Sequence, residues 1–181
     1  YFRRSILSLW AISLLVLTGL AVVIIQREKA AEVKRELNEL QELALALTAE
    51  IRSFPQLEDR GLTELLLTQA RLSGIRITLI EGSGRVAFDS EKEAAALESH
   101  RYRPEIYQAL SGQIGFSSRY SDTLKKMMFY VAVPVRRDSQ IIGACRVSRD
   151  LDLAAMSYHQ SRRYFLAFFV LGLILSWVLI Y

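Results

Sequence analysis

Two long stretches without a single charge stand at the ends of this 181-residue chain. The first, Ser5 to Ile25, reads SILSLWAISLLVLTGLAVVII, 21 residues; the second, Tyr164 to Tyr181, reads YFLAFFVLGLILSWVLIY, 18 residues. A helix rises about 1.5 Å per residue, so the first run spans roughly 31 Å, close to the hydrocarbon thickness of a bilayer. Both runs are therefore expected to be transmembrane helices in contact with membrane lipid. The first is longer than a signal-peptide core and no A-x-A-like site follows it, which makes it an uncleaved anchor.

Apart from Arg3 and Arg4, every charged residue lies between these runs. Both ends of the intervening segment must then face the same side of the membrane. Arg3 and Arg4 favour a cytoplasmic amino terminus, partly offset by Arg27, Lys29, Arg162 and Arg163, and a segment this long translocates largely regardless of its charge. It is read as extracytoplasmic. The chain opens without Met and stops at a membrane helix, so it is expected to be part of a longer protein. The 23 Lys+Arg against 19 Asp+Glu give a formal charge of only +4. With no basic helix and no zinc-ligand spacing, nucleic acid is not an expected partner. The single cysteine, Cys145, excludes an intramolecular disulfide framework.

The expected organisation is a cytoplasmic stub (1–4), a first membrane helix (5–25), a long extracytoplasmic helix and linker (26–60), a small folded domain (61–149), a membrane-proximal helix (150–163) and a second membrane helix (164–181). From Gln26 no Gly or Pro interrupts the chain until Pro55, and strong helix formers dominate. Val33, Leu37, Leu40, Ala44, Leu47 and Ile51 follow a 4-3-4-3-4 spacing, an a/d heptad seam. Two uses fit it: packing on the domain's own sheet, or pairing two chains. Pairing is the preferred expectation, because Leu43 and Leu45 lie off the seam and offer a second apolar face. The seam is short for a coiled coil.

A second helix is expected over Gly61–Ser73, with Leu62, Leu65, Leu66, Ala70 and Leu72 on its apolar face. Ile75, Ile77 and Leu79 alternate with Arg76 and Thr78; the turn residues Glu81-Gly82-Ser83-Gly84 and the apolar start Val86-Ala87-Phe88 complete a β-hairpin. A short helix is possible within EKEAAALES, and Pro104 opens PEIYQAL, closed by Gly112. Gly115–Ser121 is a short strand candidate. Met127–Arg136 and Gln140–Arg149 form a second hairpin around RDSQ, and helix is expected again from Asp150. Strands in hairpins with segregated helices define an α+β fold built on an antiparallel sheet.

The residues also carry a resemblance. ITLIEGSGRVAFDS, then HRYRPEIYQALSGQIGFSSRYSDTLKKMMFYVAVPV and IIGACRVSRDL, resemble the extracytoplasmic sensor of PhoR-type phosphate-regulon sensor histidine kinases. Matching positions are Thr78-Leu79-Ile80, Gly84, Val86, Asp89-Ser90, Arg103-Pro104-Glu105, Ala109-Leu110, Ser118, Arg119-Tyr120-Ser121, Thr123-Leu124 and Tyr130 to Pro134. They cover about half the chain, in order. The resemblance implies a PAS-like or single-Cache sensor fold in a homodimer of the bacterial cytoplasmic membrane. It further implies a HAMP linker and kinase domains beyond the second membrane helix, which would bring ATP, Mg and a response regulator as partner. None of those domains is in this sequence: neither His100 nor His159 lies in a phosphoacceptor context, and no nucleotide-binding loop occurs. No kinase activity and no cofactor are expected of this chain by itself. A chemoreceptor, a cyclic-dinucleotide enzyme or a non-sensory envelope scaffold are the rival outputs.

No nucleophile–base pair and no metal-ligand spacing can be assembled from the sequence, so no catalytic or metal residue is expected. Cys145 reads as core. The polar run RYSDTLKK reads as a loop at the rim of a sensor pocket or as a solvated turn, running into a central strand. Arg119, Ser121, Thr123, Lys125 and Lys126, with Arg101 and Arg103, are candidates for an anion-binding surface, since arginine recognises carboxylate or phosphate bidentately. Equally open is a structural role in which Arg119 pairs with Asp122 or Asp89. Tyr130 is a candidate to present its hydroxyl to a cavity, with its neighbour Phe129 on the opposite face as core. The expected ligand is a small-molecule or envelope-derived stimulus of unidentified nature.

Overall fold

The structure, a computed structural model, describes residues 2–121, 126–151, 167, 168 and 170–172, with side chains described for all of these except 2–11, 14, 121 and 151. The chain divides into two compact units, Arg35–Leu151 and the combination of Tyr1–Lys34 with Asp152–Tyr181. Helix α1 is continuous from Phe2 to Ile51. Among the described residues no helix is long and apolar enough to cross a membrane. Much of both uncharged runs falls outside the described side chains.

Within the unit Arg35–Leu151, α1 gives way to a turn at Ser53 and Phe54, where Pro55 disfavours helix in the residue before it. Asp59 then caps α2 (Arg60–Ser73), its Oδ1 accepting from the N–H groups of Gly61 and Leu62 at 2.7 and 3.3 Å. Gly74, left-handed at φ 63°, ends that helix. Leu62, Leu66 and Ala70 bury one stripe of it, while Leu72, expected on the same face, is 79% exposed.

The strands β1 (Arg76–Glu81), β2 (Val86–Asp89), β3 (Gly115–Ser121), β4 (Lys126–Arg137) and β5 (Gln140–Leu151) form one antiparallel sheet in the order β2-β1-β5-β4-β3. The short helix α3 (Pro104–Leu110) follows β2 through a long connector. Of the helix weighed in EKEAAALES, only a single 3₁₀ turn at Ala94–Ala96 forms. β5 continues to Leu151, opposite Met127, so Asp150 and Leu151 are strand, where helix was expected; residues 152–163 lie outside the described residues. Arg119, Tyr120 and Ser121 are likewise paired strand, opposite Met128, Met127 and Lys126, and not loop.

Register assigns the two faces. Ile77 and Leu79 of β1, Val131 and Val133 of β4, and Cys145 and Val147 of β5 share one parity, and all are fully buried. Arg149, next in that series, donates to Glu36 and Glu39 of α1 at 3.2 and 3.3 Å and to the Ser73 carbonyl ending α2. Both helices therefore cover this apolar face. Of the expected dimer seam, Leu40, Ala44, Leu47 and Ile51 are turned into the single chain, 0–6% exposed. An apolar sheet face has to be covered, and the nearest helix supplies the stripe. Val33 and Leu37 remain half-buried.

The opposite face carries Thr78, Ile80, Tyr130, Ala132, Ala144, Arg146 and Ser148. Its apolar part, Ile80, Ala132 and Ala144, packs with Ile106 and Ala109 of α3. Two glycines seat the elements above it. A Cβ at Gly115 would lie 2.0 Å from the Glu105 carbonyl, so β3 can start against α3 only without a side chain. Gly84 has φ 92° and accepts the His100 N–H at 2.9 Å, drawing the connector onto the β1–β2 turn.

Candidate functional site

Beside the apolar patch under α3, the same sheet face turns polar and charged. Arg146, at the centre of β5, is only 2% exposed, and Thr78, Asp89, His100, Glu105 and Ser148 are buried with it. A charged side chain is brought this deep by strand parity: residues 144, 146 and 148 must share a face, and α3 with its connector closes that face over.

Two carboxylates organise the cluster. Asp89 accepts from Arg76 Nε at 3.0 Å, from the Thr78 hydroxyl at 2.8 Å, and from the N–H groups of Glu91 and Lys92 at 3.0 Å each. Burial pushes its carboxyl up, but Arg76 and these donors outweigh burial and hold it below the usual range. Glu105, in the first turn of α3, accepts both outer nitrogens of Arg119 at 3.2 and 3.0 Å. Burial raises this carboxyl too; Arg119, its own backbone N–H and Arg146 bring it net below the normal value.

Four guanidinium groups surround those two buried acids. Arg76 is taken by Asp89 and the exposed Glu91, and Arg119 by Glu105. Arg146 reaches Glu105 only at 3.6 Å and donates from Nη2 to the Thr78 hydroxyl at 3.0 Å. Its Nε and Nη1 are buried and meet no hydrogen-bond acceptor, and Ser148 Oγ and His100 Nδ1 are likewise buried without a hydrogen-bond partner. Burial, with Arg103 second, lowers the Arg146 guanidinium to about 10, so it stays charged at neutral pH. Burial, then Arg146 and Arg103, lower His100 to about 4, leaving a neutral imidazole. Arg103, half-buried at the N-cap of α3, is lowered by burial and by Arg119. Tyr130 lies between two cations, its ring centre 4.1 Å from the Arg119 guanidinium carbon and 5.3 Å from that of Arg146.

The candidates named from sequence thus divide. Arg103, Arg119 and Tyr130 belong to the cluster. Arg119 has a carboxylate partner, as its structural role required, but that partner is Glu105, and Arg76 holds Asp89. Arg101 does not join them; it is exposed and ties down the β1–β2 turn through the carbonyls of Gly82 and Ser83. Ser121 closes β3, its side chain outside the described residues, where Asp122, Thr123 and Lys125 also fall. Lys126 is exposed on β4 and pairs with Asp150 at 2.6 Å. Phe129 is buried on the face opposite Tyr130. Sequence reading missed Arg146, Ser148, Thr78, His100 and Glu105. The available signal was Arg146 itself, a cation inside the apolar run IIGACRVS.

Among the described residues no group of three or more His, Cys, Asp or Glu is placed to hold a metal ion. Two surface grooves, of about 430 and 330 Å³, are lined by Arg52, Arg136, Arg137, Asp138 and Ser139 and by residues of α2, the link from α2 to β1 and the segment after β2. Neither includes a buried member of the charged cluster; Glu91, the exposed partner of Arg76, lines the second.

This arrangement, a long amino-terminal helix on a five-stranded antiparallel sheet, is the fold of Cache/PAS-like sensor domains. The ligand-binding domain of the Pseudomonas aeruginosa amino-acid chemoreceptor PctC, in complex with GABA, is similar at a TM-score of 0.58 and 17% identity, over 70% of this chain and 58% of that one. The sensor domain of the V. cholerae histidine kinase DctB matches at 0.57 and 18%, over 81% and 59%. The ligand-binding domain of Mlp24 with asparagine matches at 0.62 and 17%, over 78% and 62%. The chain spans less than two thirds of the length of each. No family model and no curated protein matches it.

Proposed function

We propose that this chain is the signal-sensing, membrane-anchored portion of a bacterial two-component sensor histidine kinase, with the unit Arg35–Leu151 outside the cytoplasmic membrane. One observation carries the reading: in this fold, buried polar atoms of Arg146 and Ser148 on one sheet face, and of His100 on the connector, have no hydrogen-bond partner. Groups of that kind are costly to bury without partners, and a bound small molecule is what repairs the deficit. The two uncharged runs supply the anchors, and the PhoR-type sequence resemblance supplies the kinase output. In this reading the chain is not itself catalytic. ATP and Mg would serve domains beyond Tyr181, and a response regulator would receive the phosphoryl group. If two chains associate, they do so through surfaces other than Leu40, Ala44, Leu47 and Ile51, which are buried within one chain.

A chemoreceptor output fits the fold equally, since PctC is a chemoreceptor of the same architecture. Joining residues 1–181 to the linker and catalytic half of a histidine kinase with a transcriptional reporter tests the reading. Reporter output that responds to the medium, and whose response is lost in Arg103→Gln, supports it. Output indifferent to the medium and to every substitution in the cluster would remove it. Fusion to a chemoreceptor signalling half, read by swimming bias, separates the two outputs.

A further inference from the structure

The cluster's charges do not balance. Arg76 and Arg119 each hold a carboxylate directly, at 3.0 Å. Arg146 Nη1 pairs with Glu105 at 3.6 Å, beyond hydrogen-bond distance, and shares that carboxylate with Arg119, which holds it through two hydrogen bonds; among the described residues Arg103 forms no ion pair. His100 is neutral and contributes no compensating charge. A buried cation that shares its one carboxylate is incompletely compensated, and each missed hydrogen bond in a buried site adds to that cost. The orphaned atoms also form a matched set. Arg146 Nε and Nη1 can only donate, and the Ser148 hydroxyl can donate as well. Two donor nitrogens, a hydroxyl and surplus positive charge on one face specify what is missing: an acceptor-rich anion.

We propose that Arg146 and Arg103, with Ser148 and the imidazole of His100, form a binding site for a small oxyanion, a carboxylate or phosphate group, where the centre of β5 faces the His100–Arg103 connector. The inference rests on the sensing reading above and gives it a ligand class. Glu105 keeps its bidentate hold on Arg119 throughout, so the oxyanion adds to the ion-pair network without dismantling it. The Tyr130 ring, flanked by Arg119 and Arg146, supports the Arg146 guanidinium from the side.

The test uses the whole 181-residue chain in detergent micelles, with thermal unfolding followed by circular dichroism at fixed ionic strength. The probes are sodium succinate, inorganic phosphate, succinamide and 1,4-diaminobutane, with sodium chloride as the matched salt. Succinate or phosphate is expected to raise Tm by several degrees at tens of millimolar, while chloride and succinamide leave it in place. The anion that acts distinguishes a carboxylate ligand from a phosphate. Ser148→Ala and Arg103→Gln are expected to fold and to weaken that anion about tenfold or more, as for a lost hydrogen bond to a charged group. Arg146→Met serves only if it folds. No shift with either anion, or a shift unchanged in both Ser148→Ala and Arg103→Gln, overturns the proposal. A shift with succinamide or 1,4-diaminobutane alone overturns the oxyanion and leaves the sensing reading standing. The reporter fusion then decides the sensing reading independently of these anions.

Discussion

Arg119 of β3 and Glu105 of α3 meet through two parallel hydrogen bonds, Nη1 to Oε2 at 3.2 Å and Nη2 to Oε1 at 3.0 Å. The carboxylate is wholly buried, while the guanidinium is 33% exposed and lies over Tyr130. This pair is the direct side-chain tie between an edge strand and the helix roofing the site. Removing the arginine leaves a buried acid with Arg146 at 3.6 Å as its nearest cation. Arg119→Ala is expected to cost about 3 kcal/mol of stability, the range for breaking a buried pair. A double-mutant cycle with Glu105→Gln, by urea denaturation in micelles, should show a coupling of at least about 1 kcal/mol. Additive losses would mean the pair contributes nothing specific.

His100 makes stability depend on pH. Its folded value, lowered to about 4, lies below the unfolded value of about 6.5, so the unfolded chain binds more protons between those values. Stability is then complete above pH 6.5 and falls as the pH drops toward 4. The loss is on the order of 3 kcal/mol at most, from 1.36 kcal/mol per unit. Glu105 and Asp89, both held below their usual values, extend the loss to lower pH, where they protonate in turn. His100→Gln should flatten the Tm profile between pH 6.5 and 4 and leave the more acidic limb in place. An unchanged slope would assign the dependence to other groups.

Leu40 is 1% exposed inside one chain. Leu40→Ala should therefore cost about 2–5 kcal/mol, as for a buried leucine, and cost the same at any protein concentration. A loss that grows on dilution would instead place this position between two chains.

The β4–β5 turn takes two non-glycine residues through positive φ, Asp138 at 48° and Ser139 at 66°. Two-residue hairpins of this kind prefer Asp-Gly. Ser139→Gly is expected to stabilise the chain by about 1 kcal/mol, read as a rise in Tm. A fall would show that Ser139 makes a contact outweighing its backbone strain.

Gly115→Ala is expected to disrupt the site from a distance. The added methyl would meet the Glu105 carbonyl at 2.0 Å, so α3 or β3 must move. Overpacking of this kind costs about 1–3 kcal/mol. Measured on the same samples, the variant should also lose the Arg119–Glu105 coupling, which a purely local strain would spare.

Local chemistry wrote much of this fold plainly into the chain. Pro104 opens α3, Glu81 to Gly84 turns the first hairpin, and the alternation from Ile75 to Leu79 marks a strand in a sheet of the expected class. Facing was harder to read. A heptad stripe such as Leu40, Ala44, Leu47 and Ile51 states that something apolar covers it, and both a sheet and a second helix satisfy that pattern. Asp150 and Leu151 look helical in isolation because DLDLAAM is amphipathic, but cross-strand pairing to Met128 and Met127 decides the matter. The site was legible only in part. Arg103 and Arg119 stand out in polar stretches and Tyr130 as a hydroxyl inside the apolar run MMFYVAVPV, whereas the burial of Arg146 depends on sheet parity and on which face α3 closes.

The position of β5 has a mechanical consequence. It is the middle strand of the sheet, it bears both Arg146 and Ser148, and only two residues separate Ser148 from Leu151, where the unit ends. In the sensing reading, the proposed oxyanion site and the end of the unit share one strand. Arg146, Ser148 and Leu151 lie on one extended strand, with no second element between them.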